Sequence, residues 1–480
     1  MDKDLKHETK NQISLLKQLR DFGVGPVIGM FISMLTVPVT TRFLSPEEYG
    51  KSSMFTLFQS LFLIIGLLGF DQGFVRFYND RDLDKGKLFQ NSLCIPLCFS
   101  ALLICICFLC LNSISIFLFG SVEVGLMIAF CAFLPILLLN RFFLLQIRMS
   151  LRGKLYSLLN ITSQIINFLV LILFIIFYQK SFRSIVYSTI VGMILNTIIC
   201  FIFIDKSFLT TRFSFSKELQ KALLKFSLPL VPATLLSWLL NSFDKVGLRS
   251  WSTFEELGLY AAAFKIVALL NIFQNIFTTA WVPIAYKWND ENVSNEKFEQ
   301  VSSLVLVLMT FLFSCIVVFR DVIFLFLGSK YRGTSDIFVF LLFVPVMYTI
   351  SETTCLGINF SKKTMYNLYV SFLTVVLNLF GNYFFIPIYG ALGAAFTTCI
   401  SYIVFFFVRT LFSIRLWFKF KLGKYFLNIL FMLIFCFNIL LFQSKIIEIC
   451  TFVIVICFNG LITYKVFRDM KNKTINSEEI

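Results

Sequence analysis

One histidine, His7, stands in a chain of 480 residues, and only 14% of the residues are charged. A lone imidazole leaves no histidine partner for a metal site. The 13 cysteines all lie inside apolar runs, as in CICFLC from Cys105 to Cys110. There they read as small packing residues and not as a disulfide framework. No GxxxxGK[ST] loop occurs, so any energy input is expected from a proton or sodium gradient or from the substrate gradient itself. The first twenty residues are polar and lack the apolar core of a cleavable signal peptide. Connections between apolar runs are short and carry no carboxylate cluster or metal-ligand constellation, which argues against a membrane enzyme such as a glycosyltransferase or glycan polymerase.

What fills the chain is apolar: 58% hydrophobic residues, 62 phenylalanines, and a mean hydropathy of +0.84. Soluble domains carry about 25% charged residues. Runs of about 18 or more apolar residues recur, each long enough to cross a bilayer core as a helix. Transmembrane β-barrels are excluded because the runs do not alternate. The phenylalanine excess reads as biased composition and lipid-facing surface. The pattern predicts an all-α polytopic membrane protein with fourteen helices, at 21–41, 53–71, 89–112, 124–146, 155–178, 185–204, 226–243, 257–286, 300–319, 334–358, 367–386, 391–413, 425–442 and 447–464. Lys and Arg divide 29 to 10 between alternate sides, with Arg141, Lys265 and Arg409 inside helices. By the positive-inside tendency both termini are expected in the cytoplasm. The net charge of +15 is then a topology signal plus attraction to an anionic leaflet, not a sign of nucleic-acid binding.

A short phrase is written twice. In FLSPEEYG, Glu47, Glu48 and Gly50 recur 208 residues later as Glu255, Glu256 and Gly258 of STFEELG. IFLFGS from Ile116 returns as IFLFLGS from Ile323, Pro135 matches Pro345, and FIIFY from Phe174 matches FIPIY from Phe385. The first and seventh helices each hold two prolines, Pro26 and Pro38, then Pro229 and Pro232. Prolines inside helices supply bends. Kept in order, these matches argue for a duplicated six-helix unit whose copies run parallel. Transporters built from repeats place the substrate path at the repeat interface. The expected organisation is an N-terminal segment (1–20), an N-lobe (21–204), a linker (205–225), a C-lobe (226–413), two appended helices (414–464) and a tail (465–480).

TRFLSPEEYG, GLLGFDQGFVRFY, FLGSKYRGTSDIF and IPIYGALGAAFTTCIS, taken in order, resemble the polysaccharide transport branch of the MOP (MATE-like) superfamily, the flippases of O-antigen and lipid-linked oligosaccharides. The resemblance covers essentially the whole chain. It implies a two-lobed, twelve-plus-two helix fold that moves an undecaprenyl-pyrophosphate-linked glycan from the cytoplasmic to the outer leaflet of a bacterial inner membrane. Its partners would be that substrate, membrane lipid, and the polymerase or chain-length machinery of the same pathway. The alternative of similar architecture is a cation-coupled MATE-type exporter. Many bacterial members carry a carboxylate in the first helix, and FGVGPVIGMFISMLTVPVTTRF has none.

Ionisable groups at membrane depth usually face a cavity or a partner. Arg141, with Arg148 and Arg152 on the same face if the helix continues, forms a basic stripe suited to a pyrophosphate, or else snorkels. Lys265 is a cavity cation or pairs with an unseen carboxylate. Arg409 is placed for snorkelling, or else joins the cavity cations that bind substrate. Arg42 and the Asp244–Lys245 pair line an outward mouth or anchor the interface. Glu352 is a coupling carboxylate or the counter-charge of a cation. Asp71 and Arg76 are not spaced for an intrahelical pair, and Asp71 reads as stabilising a turn. Three polar stripes, Asn160, Gln164 and Asn167, then Asn271, Gln274 and Asn275, then Asn367, Asn378 and Asn382, each share a helix face. Such a face either bonds to neighbouring helices or lines a hydrated cavity. A cavity is expected, its amides and scattered cations suited to a sugar chain on an anionic tether.

Overall fold

In lipid a spanning segment must satisfy its own backbone, and apolar runs of this length do so as helices. The computed structural model describes residues 2–80, 83–206, 208, 211–212 and 214–478, with no strand among them. Residues 81–82 of the basic connection, residues 207, 209–210 and 213 of the 205–225 linker, and Met1, Glu479 and Ile480 lie outside the described residues. The first helices are α1 (Asp2–Phe43), α2 (Pro46–Leu67), α3 (Lys85–Leu109), α4 (Val124–Met149), α5 (Gly153–Phe177) and α6 (Phe182–Phe203). A polar helix, Lys217–Ser227, and a short turn holding Pro229 lead into α7 (Val231–Trp251). There follow α8 (Phe254–Asp290), α9 (Asn295–Val318) and α10 (Thr334–Thr354). Met365–Leu416 is one run of 52 residues broken at Gly390 (φ 55°, ψ −131°), giving α11 (365–389) and α12 (391–416). α13 (Gly423–Phe442) and α14 (Lys445–Glu478) close the chain. Among the described residues thirteen helices are long and apolar enough to cross a membrane, and one of them is double, which matches the fourteen expected.

The chain forms two compact units, Met1–Trp238 and Leu239–Ile480, with the boundary inside α7. Each repeat surrounds a central helix. In the first, α4 packs on α2, α3 and α6, and its apolar window is the most buried of α1 to α6, at 56%. In the second, α10 holds that place at 94%, packed on α8, α9 and α12. Pro135 and Pro345 lie in these two central helices. Pro345 offers no N–H to the carbonyl of Leu341, and the helical run of α10 is interrupted at Leu342. α1 runs along α5 at close range. A Cβ on Gly25 would fall 2.2 Å from Ser157 Cα, and the Gly25 N–H donates to Ser157 Oγ at 3.0 Å. Part of the phenylalanine excess is core, not lipid surface: Phe70, Phe74, Phe89 and Phe142 are almost wholly buried, and three of their pairs meet edge to face.

The twice-written phrase is a clasp. Ser45 caps α2 by accepting from the Glu48 N–H at 3.4 Å, and Thr253 caps α8 by accepting from the Glu256 N–H at 3.2 Å. A capping box would turn the third-position glutamate back onto its own helix start. Here it reaches a neighbouring helix instead. Glu48 Oε2 accepts from the Phe182 N–H that opens α6, at 2.6 Å, and Glu256 Oε2 accepts from the Ala391 N–H that opens α12, at 2.8 Å. A carboxylate at a helix N-terminus also meets the positive end of the helix dipole. Gly390 fits this arrangement, since a Cβ there would lie 2.7 Å from Glu256 Oε2 on a backbone that disfavours side chains.

Candidate functional site

In the first unit, α2 ends on two left-handed residues, Leu68 (φ 48°) and Gly69 (φ 74°). Gly69 is required there, because a Cβ would lie 2.6 Å from the Ser227 carbonyl oxygen. The turn starts a short helix, Phe70–Phe77, and brings Asp71 to α4. Arg141 Nη2 donates to Asp71 Oδ2 at 2.9 Å. The Arg141 side chain stays 41% exposed, against 9% for Asp71, and its Nε is buried with no hydrogen-bond partner. A guanidinium has five donors, so Arg141 keeps binding capacity beyond Asp71. Arg148 is half-buried on the same helix. The basic stripe stops there, contrary to the expectation that Arg152 extends it. α4 ends at Met149, Leu151 turns left-handed (φ 58°), and Arg152 Nη1 donates instead to the Phe203 carbonyl at 3.4 Å.

In the second unit, Asp244 lies inside the bundle, only 3% exposed, and not at an interfacial mouth. Tyr260 OH of α8 donates to Asp244 Oδ2, as does Thr398 Oγ1 of α12 at 2.8 Å, and Asn382 Nδ2 of α11 donates to Oδ1 at 2.6 Å. Asn382 also donates to Asn378 Oδ1 at 3.0 Å, and Asn378 Nδ2 to Thr398 Oγ1 at 3.1 Å. Four helices thus meet on one carboxylate. Two hydroxyls and one amide N–H donate to the carboxylate, and Asn382 Oδ1 is the amide oxygen left buried without a partner; carboxylate, amide and hydroxyl oxygens are the hard donors that small cations take. No group of three or more His, Cys, Asp or Glu side chains fit for a metal occurs among the described residues.

Lys245 follows Asp244 and lies over the Phe264 ring at 5.9 Å. Lys265 of α8 is half-buried and close enough to Lys245 for the two ammonium groups to interact. Arg409 neither snorkels nor stands open to a substrate. Its Nη1 donates to Glu352 Oε1 and Ser351 Oγ, both at 2.8 Å, its Nε to Asn367 Oδ1 at 3.4 Å, and Tyr348 and Phe405 rings flank it. With side chains 10% and 7% exposed, the Arg409–Glu352 pair is sealed.

The polar stripes mostly face protein. Asn378 and Asn382 are buried in the Asp244 network. On α5, Gln164 packs at Gly29 of α1, Asn167 at Gly192 of α6, and Asn160 bonds the Tyr156 carbonyl of its own helix. A cavity lining was expected of these five residues; Asn378 and Asn382 are instead bonded inside protein, while Asn160, Gln164 and Asn167 are half-buried beside α1 and α6. On α8, Asn271 and Gln274 are half-buried and Asn275 is exposed. Arg42 is exposed in the last turn of α1.

Residues 22–288, more than half of the chain, match the family of polysaccharide biosynthesis proteins. The chain belongs to that family. This bears out the resemblance to the polysaccharide transport branch. A curated relative of this polysaccharide biosynthesis protein is the capsular polysaccharide biosynthesis protein CapF of Staphylococcus aureus, 24% identical over 265 residues, or 52% of this chain. The match spans 65% of the length of that relative, just under two thirds. Among solved structures, the lipid II flippase MurJ in an inward closed conformation superposes with a TM-score of 0.70 at 17% identity, covering 96% of this chain and 100% of that one. An inward-facing multidrug resistance MATE family transporter of the MOP superfamily reaches 0.57 at 16%, covering 82% and 93%. The Vibrio cholerae MATE transporter VcmN reaches 0.56 at 16%, covering 84% and 97%. At these identities the superpositions establish the fold.

Tyr260 and Thr398 were absent from the residues singled out in the sequence of this polysaccharide biosynthesis protein, and Asp71 was read there without Arg141. Their partners lie 16, 154 and 70 positions away. The signal available was Asp244 itself, an acid eight residues before the repeated phrase, with hydroxyls on α12 to answer it.

Proposed function

We propose that the protein is a flippase that carries a lipid-linked oligosaccharide, a glycan on an undecaprenyl-pyrophosphate tether such as an O-antigen unit, across the bacterial inner membrane by alternating access. Both termini would lie in the cytoplasm, a reading the distribution of Lys and Arg supports. The family match supports the glycan pathway. The observation that carries the anionic tether is Arg141, whose guanidinium is held by a single acid, 41% exposed, and retains an unmatched buried donor. Guanidinium forks bind phosphate oxygens in pairs. Lys245 and Lys265 add two neighbouring cations in the second unit. Asp244, buried and bonded by two hydroxyls and one amide N–H from three other helices, supports coupling to a proton or sodium ion, whose occupancy would rearrange those bonds.

The test is loss of the gene in its host, with lipid-linked intermediates extracted and surface glycan stained. The expected result is absent surface glycan and accumulated undecaprenyl-pyrophosphate-linked units, both restored by wild type but not by Arg141→Ala or Lys265→Ala at equal membrane abundance. Unchanged surface glycan together with increased sensitivity to cationic drugs would sink the flippase reading in favour of a MATE-type exporter.

A further inference from the structure

A cavity of about 630 Å³ opens between the start of α9, the start of α13 and the last apolar turns of α14, all in the second unit. Nothing in the proposed transport path uses it. Its floor is Lys424, whose Nζ donates to Ser303 Oγ at 2.6 Å and to Glu299 Oε1 at 3.1 Å. Two further lysines, Lys421 and Lys465, are exposed on its wall and close enough to Lys424 to repel it. Two acids, Glu296 and Asp469, are exposed at the rim, and a third, Glu299, is already bonded to Lys424. Three lysines and three carboxylates thus line the cavity, with no net charge.

Its depth in the membrane follows from the helices. α9 and α13 begin at this cavity, and the apolar run of α14 ends beside it at Lys471. That is the level of lipid headgroups. Ile462 and Val466 of α14 line it, and Leu461, 69% exposed, continues that helix towards the bilayer. Leu461 lies four residues from Lys465, or about 6 Å of helix rise. A polar cavity opening onto an apolar wall one turn deeper has the outline of a glycerophospholipid, phosphate in the cavity and acyl chains along α14. Basic pockets between transmembrane helices recur as phospholipid headgroup sites.

We propose that this cavity binds a bilayer phospholipid whose headgroup bears both a phosphate and an ammonium, a phosphoethanolamine lipid, on the C-terminal side of the membrane. Lys421, Lys424 and Lys465 hold the phosphate, and Glu296 and Asp469 hold the ammonium. An anionic phosphatidylglycerol meets the same lysines but is repelled by the rim acids. Free phosphate gains the lysines and loses the apolar wall. Lys424, Lys465 and Asp469 come from the appended pair α13–α14 and Lys421 from the segment leading into it, while α9 of the second repeat supplies Glu296, Glu299 and Ser303.

The experiment is native mass spectrometry of the purified full-length protein, delipidated and then titrated with dioleoylphosphatidylethanolamine, dioleoylphosphatidylglycerol or inorganic phosphate. Wild type is expected to retain one phosphatidylethanolamine in preference to phosphatidylglycerol. The double substitution Lys421→Gln with Lys465→Gln, both exposed and so tolerated by the fold, should weaken that adduct about tenfold or more. Asp469→Asn should narrow or reverse the preference between the two lipids. Equal retention of both lipids by wild type, or an unchanged adduct in the double variant, overturns the proposal. So does full displacement of the lipid by millimolar inorganic phosphate, which would reduce the cavity to a plain anion site.

Discussion

Glu352→Gln separates a structural ion pair from a functional one. Glu352 and Arg409 are sealed in the second unit, with side chains 7% and 10% exposed. Removing one member of a buried pair costs about 3–5 kcal/mol, because the other charge is left uncompensated. Glutamine keeps an oxygen for Arg409, and Ser351 and Asn367 remain bonded to it. The loss should therefore fall near the lower end, about 3 kcal/mol, or a fall of about 6–12 °C in unfolding midpoint for a unit of this size. Asp71→Asn is the control of opposite character. Its partner Arg141 is 41% exposed, and exposed pairs contribute about 0–1 kcal/mol. It should shift the midpoint by a few degrees at most while changing transport. A double variant, Glu352→Gln with Arg409→Met, should recover most of the loss, since apolar replacements of buried pairs are often neutral. Thermal unfolding in detergent is followed by tryptophan fluorescence for Glu352→Gln, because Trp251, Trp281, Trp288 and Trp417 all lie in the second unit, and by circular dichroism of the whole chain for Asp71→Asn in the first. The reasoning fails if Asp71→Asn lowers the midpoint as much as Glu352→Gln, or if the double variant recovers nothing.

Three further expectations rest on other contacts. Glu48→Gln and Glu256→Gln each weaken a charge-assisted bond to a helix N-terminus, so each should cost about 1–2 kcal/mol, with additive effects in denaturation because the clasps belong to different units; a large coupling between them would refute independent clasps. Asp244→Ala should abolish the pH or sodium dependence of flipping in proteoliposomes, and Tyr260→Phe should weaken it; ion dependence retained in Asp244→Ala would move coupling elsewhere. Asp321 bonds Lys445 at 2.6 Å, which holds its carboxyl below the ordinary aspartate value. Its stabilisation is therefore full above that ordinary value, about 3.9, and is lost as pH falls through the lowered one. Acid unfolding scans of Lys445→Gln should lack this component, and identical scans would show that the bond contributes nothing.

The helices and the duplication were legible because both are written locally. Length and hydropathy define a crossing, and Ser45, Thr253, Pro345 and Gly390 act within a few residues of where they stand. Side-chain partners were not legible, because periodicity says which residues share a face but not what that face meets. The α11 stripe was correct as a stripe, yet Asn378 and Asn382 meet Asp244 and Thr398, up to 138 positions away, instead of water. Arg152 was misplaced for a different reason. The face calculation assumed one continuous helix, and Leu151 breaks it with a left-handed residue that has no glycine to announce it.

The two repeats also show which features duplication has kept and which have diverged. The clasp survives in both copies, as does the enclosed central helix with its proline. The ionisable groups do not. By the offset that relates Pro135 to Pro345, Arg141 corresponds to Ser351; by the offset of the repeated phrase, Asp244 corresponds to Thr36 and Tyr260 to Ser52. The Asp244 network therefore has no counterpart at the matching positions of the first copy, and Arg141 none at the matching position of the second. If coupling and tether binding were spread evenly over both lobes, these positions would match as the clasps do. Their divergence favours a division of labour, with the ion read by the second lobe and the phosphate held first by Arg141. Substitutions at Asp244 should then alter ion dependence with little effect on substrate affinity, and substitutions at Arg141 the reverse. Equal effects on both from either residue would contradict the division.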